Sequence, residues 1–122
     1  MSESLQTCNR GEIWMLNFEP RRGSEQGGFR PAIILQTDLG NHAPGARTTI
    51  VVPLTTSGRP FVFYVPVPKT KATGLLPAPS WANCTQLFTV DKQRLVKRLG
   101  RVERSVMEEI GEALKATLEL KD

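Results

Sequence analysis

Apolar and polar positions along this chain follow two different rhythms, and the change comes near residue 105. Upstream, apolar residues come in short dense bursts. "EIWMLNF" (12–18) mixes apolar and polar positions, with Ile13, Trp14 and Phe18 suited to a half-buried strand. "PAIILQT" (31–37) begins at a proline, a position a strand tolerates. "TTIVVPLT" (48–55) and "FVFYVPV" (61–67) are dense in the β-branched and aromatic residues that favour a pleated surface. Pro53 and Pro66 point to strand ends, edges or bulges. "WANCTQLFTV" (81–90) reads as a further strand and "LVKRLGRV" (95–102) as another. "VDKQRL" predicts a single helical turn with Asp91 as its N-cap.

Downstream the period changes. In "SVMEEIGEALKATLEL", Met107, Ile110, Leu114 and Leu118 recur at spacings of 3, 4 and 4, one stripe on a helix. Ser105 with Glu108 three residues on predicts a capping box. Glu108, Glu109, Glu112 and Lys115 fall on or beside the solvent face. The segments "TDLGNHAPGAR", "TSGRP" and "KTKATGLLPAPS" are loop-forming by their Gly, Pro and Asn. Connections this short cannot make parallel crossovers, which need a dozen or more residues. The expected fold is therefore mainly β with a C-terminal helix: a small antiparallel barrel or strongly bent sheet. One domain over residues 1–122 is expected, with residues 1–9 a flexible N-terminal arm.

Composition narrows the class. Hydrophobic residues make up 39% and charged residues 23%, which is globular rather than disordered. No apolar run approaches the ~20 residues needed to span a bilayer. The start of the chain lacks the basic and apolar pattern of a secretory signal, so the cytoplasm is the expected location. Cys8 and Cys84 are far apart and form no C-x-x-C pair, so reduced, partly buried thiols are expected. Charge is unevenly spread: residues 1–104 carry 14 Lys/Arg against 7 Asp/Glu, whereas residues 105–122 carry 2 against 5. A basic body suits a polyanionic ligand, because each neutralised phosphate releases counterions.

The inventory of reactive residues excludes more than it offers. His42 is the only histidine and lies in the loop "GNHAPG", where solvation is the plain reading, so a two-histidine ribonuclease is excluded. There is no H-E-x-x-H, no G-x-S-x-G and no Walker A loop. What remains is the stretch "RRGSEQGGFRP" (21–31), where glycines, a carboxylate and an arginine stand between two apolar runs. That set suits a phosphodiester. Arginine offers a planar fork that matches phosphate oxygens, and a glycine-rich loop lets backbone amides approach an anion closely. RNA brings its own nucleophile, the 2′-OH, so the chemistry requires only charge stabilisation and proton transfer. Arg30 precedes Pro31, which biases it toward an extended backbone at a strand start. Its plain alternative is an exposed arginine flanking a strand.

In order, "GEIWMLNFEPRRGSEQGGFRPAIILQTD", "TTIVVPLTT", "TVDKQRLVKRLGRV" and an acidic terminal helix resemble the MazF/PemK family of toxin ribonucleases over residues 10–120. The resemblance implies an SH3-like small barrel of the MazF/CcdB type that forms homodimers. It implies a sequence-specific endoribonuclease that cleaves single-stranded RNA, often mRNA, with no metal or cofactor. Attack by the 2′-OH leaves a 2′,3′-cyclic phosphate and a 5′-OH end. It also implies an acidic, partly disordered antitoxin partner that blocks the RNA groove.

Carried over by residue, Arg30 matches the family's acid–base or phosphorane-stabilising arginine, and Thr55 matches a threonine that contacts the scissile phosphate. Glu25 matches a carboxylate proposed as a base. Because the arginine pKa exceeds ~12, Arg30 is assigned charge stabilisation, and the base stays open between Glu25 and water. Ser24, Gln26 and Gly27 match the loop over the groove, and Arg59 and Gln86 complete the expected RNA-binding set. Arg21, Arg22, Arg59, Lys69 and Lys71 are candidate antitoxin contacts. One departure stands out: "CTQLFT" has Thr85 and Phe88 where many members carry an acidic residue and an arginine. Phe88 is expected in the core, its alternative being stacking on a base. Two other readings share this sequence: a CcdB-like, non-catalytic poison of DNA gyrase, and an RNA-binding module without activity.

Overall fold

The computed structural model describes residues 7–18, 28–74 and 80–121. Seven strands build the sheet: β1 (Glu12–Asn17), β2 (Phe29–Ile34), β3 (Thr48–Thr55), β4 (Tyr64–Val67), β5 (Ser80–Asn83), β6 (Phe88–Asp91) and β7 (Leu95–Arg101). A one-turn helix, α1 (Asp38–Asn41), lies between β2 and β3, and the chain closes with α2 (Arg104–Leu118). All pairings are antiparallel, in the order β4-β5-β3-β2-β1-β7, with β6 also paired to β3. The mainly β fold with a C-terminal helix is thus as expected.

Alternation along the strands divides the interior in two. Ile13, Ile33, Val52, Leu54, Val65, Val67 and Ala82 point one way and are covered by Val106, Ile110 and Ala113 of α2. Trp14, Leu16, Ala32, Ile34, Val51, Val90 and Leu95 point the other way, into a second cluster. Burying a side chain such as Ile110, which is fully enclosed, contributes roughly 1.5–3 kcal/mol. The sheet bends far enough that the turn after β4 reaches β7, the strand at its opposite edge. The Arg101 amide donates to the Ala72 carbonyl at 2.8 Å. Gly100 permits this contact, since a Cβ there would lie 2.1 Å from the Ala72 oxygen.

Three details differ from expectation. The run 81–90 forms two strands, both on β3: β5 pairs with Leu54–Thr55 and β6 with Thr48–Val51. The interruption falls opposite Pro53, which has no N–H to offer a ladder. In "FVFYVPV" only Tyr64–Val67 is strand, and Phe61 turns back to bridge Tyr64. The capping box at the terminal helix is also absent. The N-cap is Glu103, with no side-chain capping bond, and Arg104 is already helical. Val102 is held by its amide on the Gly11 carbonyl at 2.9 Å, so the turn into the helix must follow at once and Ser105 falls inside it. The buried stripe is correspondingly Val106, Ile110 and Ala113, with Met107 and Leu114 at its margin and Leu118 49% exposed. The helical turn after Asp91 is as expected: its Oδ1 accepts from the Gln93 amide at 2.8 Å.

Cys8 and Cys84 are free and fully buried. Burial pushes the Cys84 thiol up to about 11, so no thiolate is at hand near neutral pH. Of the expected arm, residues 1–6 lie outside the described residues, while Asn9 donates to both oxygens of Glu12. No described helix is long and apolar enough to cross a membrane.

Candidate active site

The site is set by the register of β2 on β3. Ala32 pairs with Pro53, Ile33 with Val52 and Ile34 with Val51. The ladder itself ends at Ala32 and Pro53; extended by two residues, the same register would bring Arg30 across from Thr55. Side chains at i and i+2 share a face. Arg30 and Thr55 therefore lie on the face of Ala32 and Ile34, beyond the point where the second apolar cluster ends. On its other edge Arg30 pairs with Leu16 of β1, so its backbone is held from a strand and not from a loop tip. The Phe18 amide donates to the Gly28 carbonyl at 2.9 Å and closes the base of the connection between β1 and β2.

The polar atoms here are available to a ligand. Arg30 is exposed, and among the described residues no hydrogen bond or ion pair occupies its guanidinium. Thr55 is half-buried, and its Oγ1 accepts from the Ser57 amide at 3.0 Å, which leaves the hydroxyl proton free to donate. Two such donors on neighbouring strands, a fixed cation and a hydroxyl, suit two oxygens of one phosphate.

The remaining candidates are distributed around this pair. Ser24, Glu25, Gln26 and Gly27, with Arg21 and Arg22, lie outside the described residues. Gln86 sits in the turn joining β5 to β6, on the far side of β3 from Arg30. Its Oε1 is buried, with no hydrogen-bond partner among the described residues. Arg59 follows β3 in the loop 56–60, its guanidinium carbon 5.7 Å from the Phe61 ring and 5.8 Å from that of Tyr64. Lys69 and Lys71 are exposed on the next loop. Phe88 packs against the second cluster, with its ring 5.3 Å from that of Phe18, as the core reading expects. Thr85 is exposed and donates to Asn83 Oδ1 at 2.6 Å. His42 is exposed at the opposite end of the sheet, with Nε2 3.2 Å from the Cys8 carbonyl.

Sequence reading missed Trp81 and Tyr64. Thr55 pairs with Trp81, and Tyr64 sits beyond it on β4. The signal was the aromatic density of "RPFVFYV", which reads equally well as a plain strand. Among the described residues no three His, Cys, Asp or Glu side chains converge as a metal site would require.

A family profile for "PemK-like, MazF-like toxin of type II toxin-antitoxin system" matches residues 9–118. The chain belongs to this family. Endoribonuclease MazF9 of Mycobacterium tuberculosis is 34% identical over 115 residues, 91% of this chain and 96% of its own length. Endoribonuclease EndoA of Bacillus subtilis is 31% identical over 113 residues, covering 93% and 96%. Among solved structures, an endoribonuclease from a mycobacterial species superposes with a TM-score of 0.77 at 21% identity, over 98% of this chain and 99% of its own. An endoribonuclease of mycobacterial species in complex with its cognate antitoxin gives 0.76 at 22% identity, over 94% and 98%. At these identities the structural likeness speaks to the fold.

Proposed function

We propose that this chain is the endoribonuclease toxin of a type II toxin–antitoxin system and cuts single-stranded RNA without a metal ion. The observation that carries the reading is that the chain matches this toxin family over residues 9–118; a β2–β3 ladder that would bring Arg30 toward Thr55 if extended by two residues supports it. The 2′-OH attacks the adjacent phosphorus, and the P–O5′ bond breaks. A 2′,3′-cyclic phosphate and a 5′-OH end remain. Arg30 lies against the non-bridging oxygens, where charge accumulates in the phosphorane. Preorganised donors act most strongly at such a point. The Thr55 hydroxyl donates to the same phosphate and holds it in line. The 2′ proton passes to Glu25 or to water, and the leaving 5′ oxygen gains a proton from Arg30 or solvent.

The curated relatives carry the name endoribonuclease, and a structurally similar toxin is known with its antitoxin, which supports a protein antitoxin here as well. An acidic antitoxin segment would lie across the same basic face, near Arg59, Lys69 and Lys71. Steering between opposite charges makes its association salt-dependent. One domain, a homodimer and a cytoplasmic location complete the proposal.

The test is cleavage of a long single-stranded RNA in EDTA, followed by analysis of the ends. Cyclic phosphate and 5′-OH ends are expected, and a 2′-deoxy substitution at the cut position stops the reaction. Activity lost to EDTA, or cleavage that survives the deoxy substitution, overturns the mechanism.

A further inference from the structure

The face that carries Arg30 and Thr55 does not end there. Thr55 pairs with Trp81, and Trp81 with Pro66, so these side chains share that face; Asn83 and Tyr64 continue it by alternation. The opposite face of the same strands is the apolar core of Leu54, Ala82, Val65 and Val67. A strand spacing of about 4.8 Å and a rise of about 3.3 Å per residue put the Tyr64 Cα roughly 12 Å from that of Thr55 on a flat sheet.

The loop 56–60 is tied down on this surface. Gly58 lies flat against Trp81, where a Cβ would come within 2.1 Å of the indole Cγ, so only glycine lets the backbone cross the ring so closely. The loop thereby delivers Arg59 between the Phe61 and Tyr64 rings. Phe61 is braced by an edge-to-face contact with Phe63 at 5.2 Å, and its bridge to Tyr64 fixes the turn. Yet Phe61 is 52% exposed and its neighbour Val62 57%. Rigid aromatic surface left open beside a guanidinium is what a stacking platform for an unpaired base requires. The surroundings favour a polyanion. Residues 39–90 contain no aspartate or glutamate, while Arg47, Arg59, Lys69 and Lys71 fall among them.

We propose that Phe61, flanked by Arg59 and Tyr64, is a stacking subsite for one base of single-stranded RNA, one or two nucleotides from the phosphate at Arg30 and Thr55. This rests on the ribonuclease reading above. It makes the subsite a determinant of where the RNA is cut. A ring face accepts any base, so the subsite sets the need for a splayed base at one position and leaves its identity to other contacts.

The experiment is an abasic scan of a cleaved oligonucleotide in EDTA, with wild type, Phe61→Ala and Phe61→Trp. On intact RNA, Phe61→Ala is expected to lose roughly five- to a hundredfold in kcat/KM, and Phe61→Trp to retain activity. In wild type, one flanking abasic position costs a similar factor; in Phe61→Ala that penalty disappears while the penalties at other positions persist. Thermal midpoints of the three proteins accompany the scan, since an exposed ring predicts little change. Wild-type kcat/KM in Phe61→Ala, or an unchanged set of abasic penalties, overturns the subsite. So does a Phe61→Ala protein impaired only in binding an acidic antitoxin peptide. A wild type that cuts no RNA brings down the ribonuclease reading as well, and is told apart by that result alone.

Discussion

The two ends of the sheet use the same kinds of side chain for opposite purposes. At the end where β2 leaves and β3 begins, polar groups are sunk and satisfied by one another. Asn41 is buried and its carboxamide makes four bonds. It donates to the Gln36 carbonyl at 2.9 Å and to Asp38 Oδ1 at 3.1 Å, and accepts from Thr49 at 2.7 Å and Gln36 at 3.1 Å. Lys92, 5% exposed, donates to the Asn41 carbonyl at 2.6 Å. Glu12 accepts from Asn9, from the Trp14 indole at 3.0 Å and from Arg98 at 3.1 Å. At the other end Arg30 and Arg59 are exposed, and Thr55 keeps a proton to give. Polarity that is spent internally holds a loop in place; polarity left open is available to a ligand. An arginine or threonine in the sequence does not declare which of these it will be.

If that division is right, each end fails in its own way. Arg30→Ala should lower cleavage by about 10²–10³, the loss typical of a preorganised transition-state donor, with the melting temperature nearly unchanged. A fall in stability instead of rate would erase the distinction. Asn41→Ala should do the reverse. Several buried partners lose their bonds, so urea denaturation should show a loss of about 3 kcal/mol. The specific rate of the folded fraction should stay near that of wild type.

Glu12 sharpens the contrast through pH. Burial pushes its carboxyl up, but the hydrogen bonds from Trp14 and Asn9 and the charge of Arg98 outweigh that, and its pKa is lowered overall. A lowered carboxylate contributes stability that is complete above its unfolded value, near 4.3, and lost as pH falls through the folded value. The stability gap between wild type and Glu12→Gln should thus be present at pH 7 and shrink in acid. Equal gaps at both would show that the carboxylate's charge is not what these partners hold. Asp38, lowered by the Arg10 amide and by Asn41, adds acid sensitivity at the same end.

The smallest effect concerns α2. Its N-cap, Glu103, makes no capping bond, so Glu103→Ser should stabilise the fold by about 1 kcal/mol, read from the urea midpoint, and leave cleavage untouched.

The missing capping box illustrates what the sequence could and could not say. Ser105 and Glu108 have the right spacing, but a bond from Val102 to Gly11, distant in sequence, decides where the helix begins. The strand Thr48–Thr55 was legible to the residue, because its β-branched run is buried along most of its length. The break in 81–90 was not, since its cause, Pro53, sits on a neighbouring strand. The proposed pair, Arg30 and Thr55, was named through family likeness, and only the order of β2 and β3 in the sheet brings residues 25 apart onto neighbouring strands. Trp81 and Tyr64 joined that face through strand order, which no local pattern encodes.

The central claim is that Arg30 and Thr55 act on the same phosphate, and a double-mutant cycle tests it most directly. Rates of RNA cleavage in EDTA are compared for wild type, Arg30→Ala, Thr55→Val and the double variant. Residues that act as a unit lose far less together than the product of their separate losses. The double variant is expected to be little slower than Arg30→Ala alone. Losses that multiply in full would contradict a shared phosphate and separate the two strands' roles.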